Sequence, residues 1–198
     1  MCNINPRSVY NKIDEFHKFV ENEEIDLVFM SESWERPNLP LDEIVELDNH
    51  TIVSNVYQRT EIGGRPAILA NHNKFEVQNV TNSLVQIPWG VEAVWGILTP
   101  KKSTNDSKVK KIACCALYSK PDSRMKSLLL DHISDVYNFL SIKYNRGLHF
   151  IIAGDTNRLK LNSILNLDTR FIQIVTKYTR LNPPAILDPI MMTLSTFY

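Results

Sequence analysis

The sequence predicts an α/β protein whose sheets are flanked by helices. A strand, a helix and a second strand follow one another near the start of the chain, and such crossover units build sheets covered by helices. Later apolar or alternating runs, separated by polar turns, are typical of further strands. The stretch Leu148–Asn157 is an apolar strand that ends in Gly, Asp, Thr and Asn, so it presents a carboxylate and a carboxamide at a strand end.

Composition limits the class of protein. The chain has 198 residues, which suits one domain, and 43% of them are hydrophobic. Lys plus Arg (22) equals Asp plus Glu (22), so bulk charge neither requires nor excludes a nucleic-acid partner. Cys2, Cys114 and Cys115 lack metal-ligand spacing, which indicates a reducing compartment. With no signal core and no apolar run near ~18 residues, we expect a soluble intracellular protein, nuclear or cytoplasmic, without a membrane partner.

The first crossover unit begins with a short strand that ends at Pro6. A helix is predicted from Val9, with Ser8 as its N-cap, because apolar residues recur at helical spacing. The strand Ile25–Met30 completes the unit and leads directly into Glu32. The strands predicted next are Ile52–Tyr57, Ala67–Ala70, Phe75–Val80, Val91–Leu98 and Ile112–Tyr118.

A second long helix is predicted from Asp122, with an apolar stripe that runs to Leu140 and Gly147 as its C-cap. His132 is expected to cap or flank its apolar face. After the strand at Leu148 come a short helix, a segment that fits either a strand or a helix, and a last strand interrupted by proline: Leu161–Leu167, Phe171–Val175 and Ile186–Met192.

Polar side chains recur at the ends of these strands: Asn3, Asn5, Glu32, Tyr118, Asp155, Asn157 and Asp188. Each has an ordinary alternative, since Asp and Asn are common in turns and Tyr is a good strand residue. Taken together, oxygen ligands without thiolate or imidazole favour a hard cation such as Mg²⁺ or Mn²⁺. A hard cation beside amide and phenol donors suits the hydrolysis of a phosphate ester.

Six short motifs follow one another along almost the whole chain: Asn3-Ile4-Asn5, Ser31–Trp34, Gly63–Leu69, Leu117–Ser119, Gly154–Asn157 and Ile186–Ile190. In this order they resemble the endonuclease/exonuclease/phosphatase superfamily, to which DNase I and the apurinic-site endonucleases belong. Within it, the chain most resembles the endonuclease domain of LINE-type non-LTR retrotransposon polyproteins.

This resemblance implies a four-layer α/β sandwich of the DNase I-like type, with residues 1–198 forming a single domain. It also implies a Mg²⁺-dependent DNA endonuclease that nicks target DNA to prime reverse transcription. Its partners would be DNA and a reverse transcriptase domain in the same polyprotein. A repair nuclease, a phosphatase and a non-catalytic remnant that binds DNA or protein are the alternatives.

The resemblance also implies roles for individual residues. Glu32 would be the principal Mg²⁺ ligand, with Asn5 and Asn3 beside the metal and the phosphate. Tyr118 would contact the scissile phosphate, and Asp155 would orient or deprotonate the attacking water.

Two further residues complete the implied site. Asn157 would hold the transition state, and Asp188 would orient a histidine that the family carries in a later Ser-Asp-His motif. No histidine follows Asp188 here, and only two residues precede Asn3. We therefore expect a domain truncated at both ends, which lacks part of the first strand and the Ser-Asp-His segment.

The polar stretch between two of the predicted strands, residues 101–111, is predicted to be a hairpin loop. Its lysines fit either a solvated loop or a contact with the DNA backbone: Lys101, Lys102, Lys110 and Lys111.

Overall fold

The computed structural model describes residues 1–36, 38–55, 64–81, 83, 85–101, 111–144, 147–157, 159–175, 180–181, 184–185 and 188–193. The helices in these ranges are α1 (Ile13–Asn22), α2 (Ser123–Lys143) and α3 (Leu161–Leu165). The strands are β1 (Cys2–Ile4), β2 (Leu27–Met30), β3 (His50–Ser54), β4 (Ala67–Asn71), β5 (Phe75–Asn79), β6 (Glu92–Pro100), β7 (Ile112–Tyr118), β8 (His149–Asp155), β9 (Phe171–Gln173), β10 (Arg180–Leu181), β11 (Pro184–Ala185) and β12 (Ile190–Thr193).

Most strands belong to two sheets. A four-stranded sheet has the order β1-β2-β4-β3, in which β1 and β2 are parallel and the other neighbours antiparallel. A six-stranded sheet has the order β5-β6-β7-β8-β12-β9, with β7 and β8 parallel and the remaining pairs antiparallel. The parallel pair β1 and β2, joined through α1, confirms the predicted crossover unit.

The two sheets pack face to face with helices outside. Phe29 and Ile68 of the small sheet share one buried cluster with Val94 and Ala116 of the large sheet. A second cluster joins the outer face of the large sheet to α2, and a third joins the small sheet to α1. Helix, sheet, sheet and helix make four layers, which confirms the predicted sandwich. Each fully buried large apolar side chain in these layers stabilises the fold by about 1.5–3 kcal/mol.

The adjacent cysteines show how the layers divide. Cys114 faces the other sheet, whereas Cys115 faces α2, because successive strand residues point to opposite faces. Both thiols are fully buried, and burial raises the pKa of each. The two thiols therefore serve as packing residues of β7.

The start of the first helix differs from the prediction. Helix α1 begins at Ile13 with Lys12 as its N-cap, and Ser8 has a left-handed φ of 79°. The cause is tertiary, since the backbone N–H groups of Ser8 and Val9 donate to carbonyls of residues 32 and 33, at 3.0 and 3.3 Å. Val9 is nevertheless fully buried, so the predicted apolar stripe was correct while the predicted cap was wrong.

The second helix begins as predicted and ends earlier. The Asp122 side chain accepts a hydrogen bond from the Met125 backbone N–H, which caps α2. The helix ends with Tyr144 as its C-cap residue, so the assignment of Gly147 was wrong; the Gly147 N–H instead donates to the Tyr144 carbonyl. His132 is buried in the core, where its Nε2 accepts a hydrogen bond from Trp95 Nε1 at 3.2 Å. It therefore neither caps α2 nor flanks its apolar face, contrary to the prediction from the sequence.

The remaining differences concern boundaries. Phe171–Gln173 is a strand, which settles the choice between strand and helix. The last strand begins at Ile190 and pairs antiparallel with β8 and β9. Parts of the predicted strands and turns, at residues 56–57, 63 and 186–187, lie outside the described residues. Within the described ranges, no helix is both long and apolar enough to cross a membrane.

Candidate active site

The two parallel strand pairs bring the predicted residues to one edge of the sandwich. Asn3 lies on β1 beside Phe29 of β2, so the residues that follow both strands leave the small sheet together. Tyr118 and Asp155 are register partners at the ends of β7 and β8 in the large sheet. Asn3 Nδ2 donates to the Gly154 carbonyl at 3.4 Å, which joins the two sheets at this edge.

Asn5 links the two carboxylates that the sequence singled out. Its Nδ2 donates to Glu32 Oε1 at 2.7 Å and to Asp155 Oδ2 at 3.0 Å. The other oxygen of Glu32 accepts a hydrogen bond from Trp34 Nε1 at 3.0 Å. Glu32 and Asp155 come from different sheets, so one amide nitrogen holds both carboxylates in fixed positions across the sandwich.

Local hydrogen bonds orient the Asp155 carboxylate from the other side. The backbone N–H of Asn157 donates to Asp155 Oδ1 at 2.9 Å, and Asn157 Nδ2 donates to the Ser119 carbonyl at 2.9 Å. Gly154 is required just before Asp155, because its φ is 144° and a Cβ there would lie 1.9 Å from the Leu117 carbonyl oxygen. Gly154, Asp155 and Asn157 of this motif therefore each have a physical reason for their position.

Burial and charge perturb the acid–base properties of the site. Asp155 is 6% exposed. Its pKa is raised to about 6, chiefly by burial and then by the negative charges of Asp188 and Glu32, while the hydrogen bonds from Asn157 and Asn5 act in the opposite direction. The pKa of Tyr118 is also raised, first by burial and then by the charges of Glu32 and Asp155. These couplings place Asp188 in the same electrostatic cluster as the other two carboxylates.

The side-chain oxygen of Asn3 is a buried hydrogen-bond acceptor. This oxygen, Oδ1, accepts no hydrogen bond from any residue that the structure describes. Such an oxygen is costly unless a cation or a solvent molecule satisfies it. Across the same residues, no three His, Cys, Asp or Glu side chains form a metal site by themselves. The amide oxygen of Asn3 is therefore available beside the carboxylates as a ligand for a cation at this edge.

Several residues of the site were given no role from the sequence. Trp34 supports Glu32, Ser119 accepts from Asn157, and the buried Glu92 accepts the Arg65 backbone N–H at 2.7 Å. Trp34 and Arg65 have left-handed φ values of 58° and 64°, a strained conformation for side chains of this size. Glu92 is an acidic residue at the start of an otherwise apolar strand, a weak signal that does not by itself indicate a contact with Arg65.

The two predicted lysines that the structure describes, Lys101 and Lys111, lie away from this cluster. Lys101 follows β6 and Lys111 precedes β7, at the ends of those strands farthest from Tyr118. Six strand residues separate this end from Tyr118, or roughly 20 Å at about 3.3 Å per residue. Lys102 and Lys110 lie outside the described residues. A contact of these lysines with DNA stays a prediction.

Comparison with solved structures places the fold. An endonuclease/exonuclease/phosphatase from Bacteroides vulgatus is similar over 96% of this chain and 85% of its own, with a TM-score of 0.69 and 13% identity. This chain has the DNase I-like fold. A 3'-5' exonuclease from Neisseria meningitidis is also similar, with a TM-score of 0.63, 10% identity and coverage of 96% and 85% of the two chains.

A third similar structure is D. rerio TDP2 complexed with a single-strand DNA product. It has a TM-score of 0.57 and 13% identity, and the match covers 93% of this chain and 77% of that one. No protein-family model and no curated protein matches the sequence. At these identities the likeness establishes the fold, while the chemistry has to be argued from the site.

Proposed function

We propose that this chain is a metal-dependent phosphoesterase that hydrolyses phosphodiester bonds of DNA. The observation that carries the proposal is the Asn5 amide, which holds Glu32 and Asp155 together across the two sheets. The carboxylates, a phenol and amide donors meet at one edge, and proteins of the same fold include nucleases and a protein solved with single-strand DNA. These facts support DNA as the substrate.

The donor set fits a hard divalent cation such as Mg²⁺ or Mn²⁺. Its donors are oxygens, and Mg²⁺ commonly takes one or two carboxylates while keeping waters and substrate phosphate. Burial and then the charges of Asp188 and Glu32 raise the pKa of Asp155, and a cation would relieve the part that comes from charge repulsion. Glu32 would hold the ion, with Asn5 and the unsatisfied Asn3 Oδ1 beside it. When bound, the cation would polarise the phosphoryl group and stabilise the leaving oxygen.

The protein's own groups supply the proton transfers. With a pKa of about 6, the Asp155 carboxyl is mostly ionised at neutral pH and can take the proton of a water attacking phosphorus. The Asn157 backbone N–H fixes the Asp155 carboxylate in place. Tyr118 stays protonated because its pKa is raised, so its hydroxyl can donate to a phosphate oxygen. Asp188 lies near enough for its charge to favour the protonated form of Asp155.

The experiment is a nicking assay on supercoiled plasmid with Mg²⁺ or Mn²⁺. Asp155→Asn should lower the nicking rate by about 10²–10⁴-fold, the usual contribution of a general base. Asp26→Asn is the matched control, because Asp26 pairs with Lys74 at 2.7 Å at the start of β2, away from the site. Equal nicking by wild type and Asp155→Asn would disprove the role of Asp155.

We further propose a biological role for this nuclease activity. The order of the sequence motifs supports a retrotransposon endonuclease, whose nick would prime reverse transcription. Reading the coding sequence beyond Tyr198 tests this role, since a reverse transcriptase should follow in the same frame. A chain that nicks apurinic DNA alone would instead be a repair nuclease. A chain that binds DNA without cleaving it would be a non-catalytic remnant.

A further inference from the structure

Glu92 is a buried carboxylate that connects the two sheets beside the candidate site. It is 2% exposed and opens β6 in the large sheet, directly opposite Tyr118 of β7. Its Oε2 accepts the backbone N–H of Arg65 at 2.7 Å, and Arg65 leads into β4 of the small sheet. Lys120 Nζ lies 3.8 Å from the other oxygen. A buried charge is costly unless it is paired and hydrogen-bonded, and here the Arg65 N–H and Lys120 supply those contacts.

The neighbouring Gly64 is shaped around this carboxylate. A Cβ at Gly64 would lie 2.0 Å from Glu92 Oε2, and the φ of Gly64 is 66°. A side chain at Gly64 would therefore displace the carboxylate from the Arg65 N–H. Because the backbone at residues 64–65 closes directly onto Glu92, the position of this loop depends on the carboxylate.

The same loop supports the residue that orients Glu32. The Arg65 carbonyl accepts hydrogen bonds from the Ser33 hydroxyl at 2.6 Å and the Ser33 N–H at 3.3 Å. The Gly64 carbonyl accepts the N–H of Trp34 at 3.4 Å. Trp34 has a left-handed φ of 58°, and its indole N–H donates to Glu32 Oε2 at 3.0 Å. A continuous chain of contacts thus runs from Glu92 to the Glu32 carboxylate.

We propose that Glu92 is a positioning residue for the metal-binding carboxylate Glu32, acting through the backbone of residues 64–65 and the indole of Trp34. The contact that matters is the hydrogen bond accepted by Glu92 from Arg65, more than its charge. The inference deepens the proposed function, on which the metal-binding role of Glu32 rests. The link from Glu92 to Trp34 can be tested without any metal.

The test is the ¹H–¹⁵N indole resonance of Trp34 in the metal-free protein, assigned with Trp34→Phe, followed by a Mn²⁺ titration. Glu92→Ala should shift this resonance, because the support of the indole is lost. Glu92→Gln should leave it near its wild-type position, since the amide oxygen can still accept from Arg65. Thr81→Val is the matched control. Thr81 is a buried polar residue whose hydroxyl bonds the Trp95 backbone in β6, and no contact among the described residues links it to Trp34.

The titration should show a loss of Mn²⁺ affinity of about 10–100-fold for Glu92→Ala, as is usual when a residue behind a metal ligand is removed. Glu92→Gln and Thr81→Val should stay within about twofold of wild type, well inside that range. If Glu92→Ala does not fold, Gly64→Ala tests the same contact from the other side and should shift the Trp34 resonance in the same way.

An unmoved Trp34 resonance in a folded Glu92→Ala or Gly64→Ala protein overturns the inference. A shift caused equally by Thr81→Val also overturns it, because the effect would then be general destabilisation. If wild type binds no Mn²⁺, the proposed function fails, while the resonance still decides whether Glu92 positions Trp34. The two failures are therefore distinguishable.

Discussion

Acidification of the metal-free protein should protonate two buried groups, His132 and Asp155, whose effects on the free energy of unfolding have opposite signs. His132 is 2% exposed, and its Nε2 accepts the indole N–H of Trp95. Burial lowers its pKa from 6.5 to about 4, with partial compensation by the charge of Asp135. The unfolded chain therefore takes up this proton first, and the stabilisation present above pH 6.5 is lost as the pH falls towards 4. At pH 4 the loss is about 3 kcal/mol.

Asp155 works against this loss. Its pKa is raised from 3.8 to about 6, chiefly by burial, so the folded protein takes up this proton before the unfolded chain does. The folded state is destabilised by the ionised carboxylate above pH 6 and recovers stability as the pH falls. Between pH 7 and pH 4 the gain is about 2 kcal/mol. In wild type the two contributions nearly cancel.

Single substitutions of His132 and Asp155 should separate their two contributions to the pH dependence of stability. Urea unfolding in EDTA at pH 7 and pH 4 measures the change in the free energy of unfolding for each protein. Between pH 7 and pH 4, Asp155→Asn should lose about 2 kcal/mol more than wild type, and His132→Gln should lose about 3 kcal/mol less. Asp168, whose pKa Arg170 holds well below its usual range, titrates alike in every variant and cancels in the comparison. Wild-type pH dependence in both variants would refute the reasoning.

Three further outcomes are expected. Gly154→Ala should destabilise the fold by more than about 4 kcal/mol, because a Cβ meets a carbonyl at 1.9 Å, whereas Gly96→Ala meets nothing within 3.6 Å and should cost far less in thermal melts. Trp89 is 84% exposed on the turn that enters β6 at the end nearest the site. Trp89→Ala should weaken single-stranded DNA binding by about 1–3 kcal/mol in fluorescence anisotropy, and unchanged affinity would exclude base stacking. Cys114 and Cys115 should resist alkylation until urea unfolds the chain, as mass spectrometry would show.

The elements that carry the candidate site could be predicted because their signals are local. The strand before Asp155 is an apolar run ended by glycine, and the strand ending at Tyr118 was predicted with its observed bounds. The meeting of Tyr118 and Asp155 follows from their strands being parallel neighbours. The local sequence pattern was thus enough to predict site residues that lie at the end of a strand.

Other features depend on contacts between distant segments, which no local pattern encodes. Serine is a common N-cap residue, but the backbone N–H of Ser8 donates to the carbonyl of Glu32 in the loop after β2. Helix α1 therefore starts later, at Ile13. Glu92 becomes important only through its register opposite Tyr118 and its approach to Arg65. Periodicity alone could not separate Glu92 from any other glutamate at the start of a strand.

The candidate site is also a place where polar contacts join the two sheets. The cross-sheet hydrogen bonds of Asn3, Asn5 and Glu92 lie at this edge. Elsewhere the sheets are held by apolar packing and by a hydrogen bond from Asn79 Nδ2 of β5 to the Ser54 carbonyl of β3. The ionised Asp155 carboxylate opposes folding, because burial first, and then the repulsion from Asp188 and Glu32, raises its pKa. A bound cation would remove that repulsion and so stabilise the fold by linkage. Stability and catalysis should therefore be coupled, since any change that loosens the sheet contact also displaces the groups that would hold the ion.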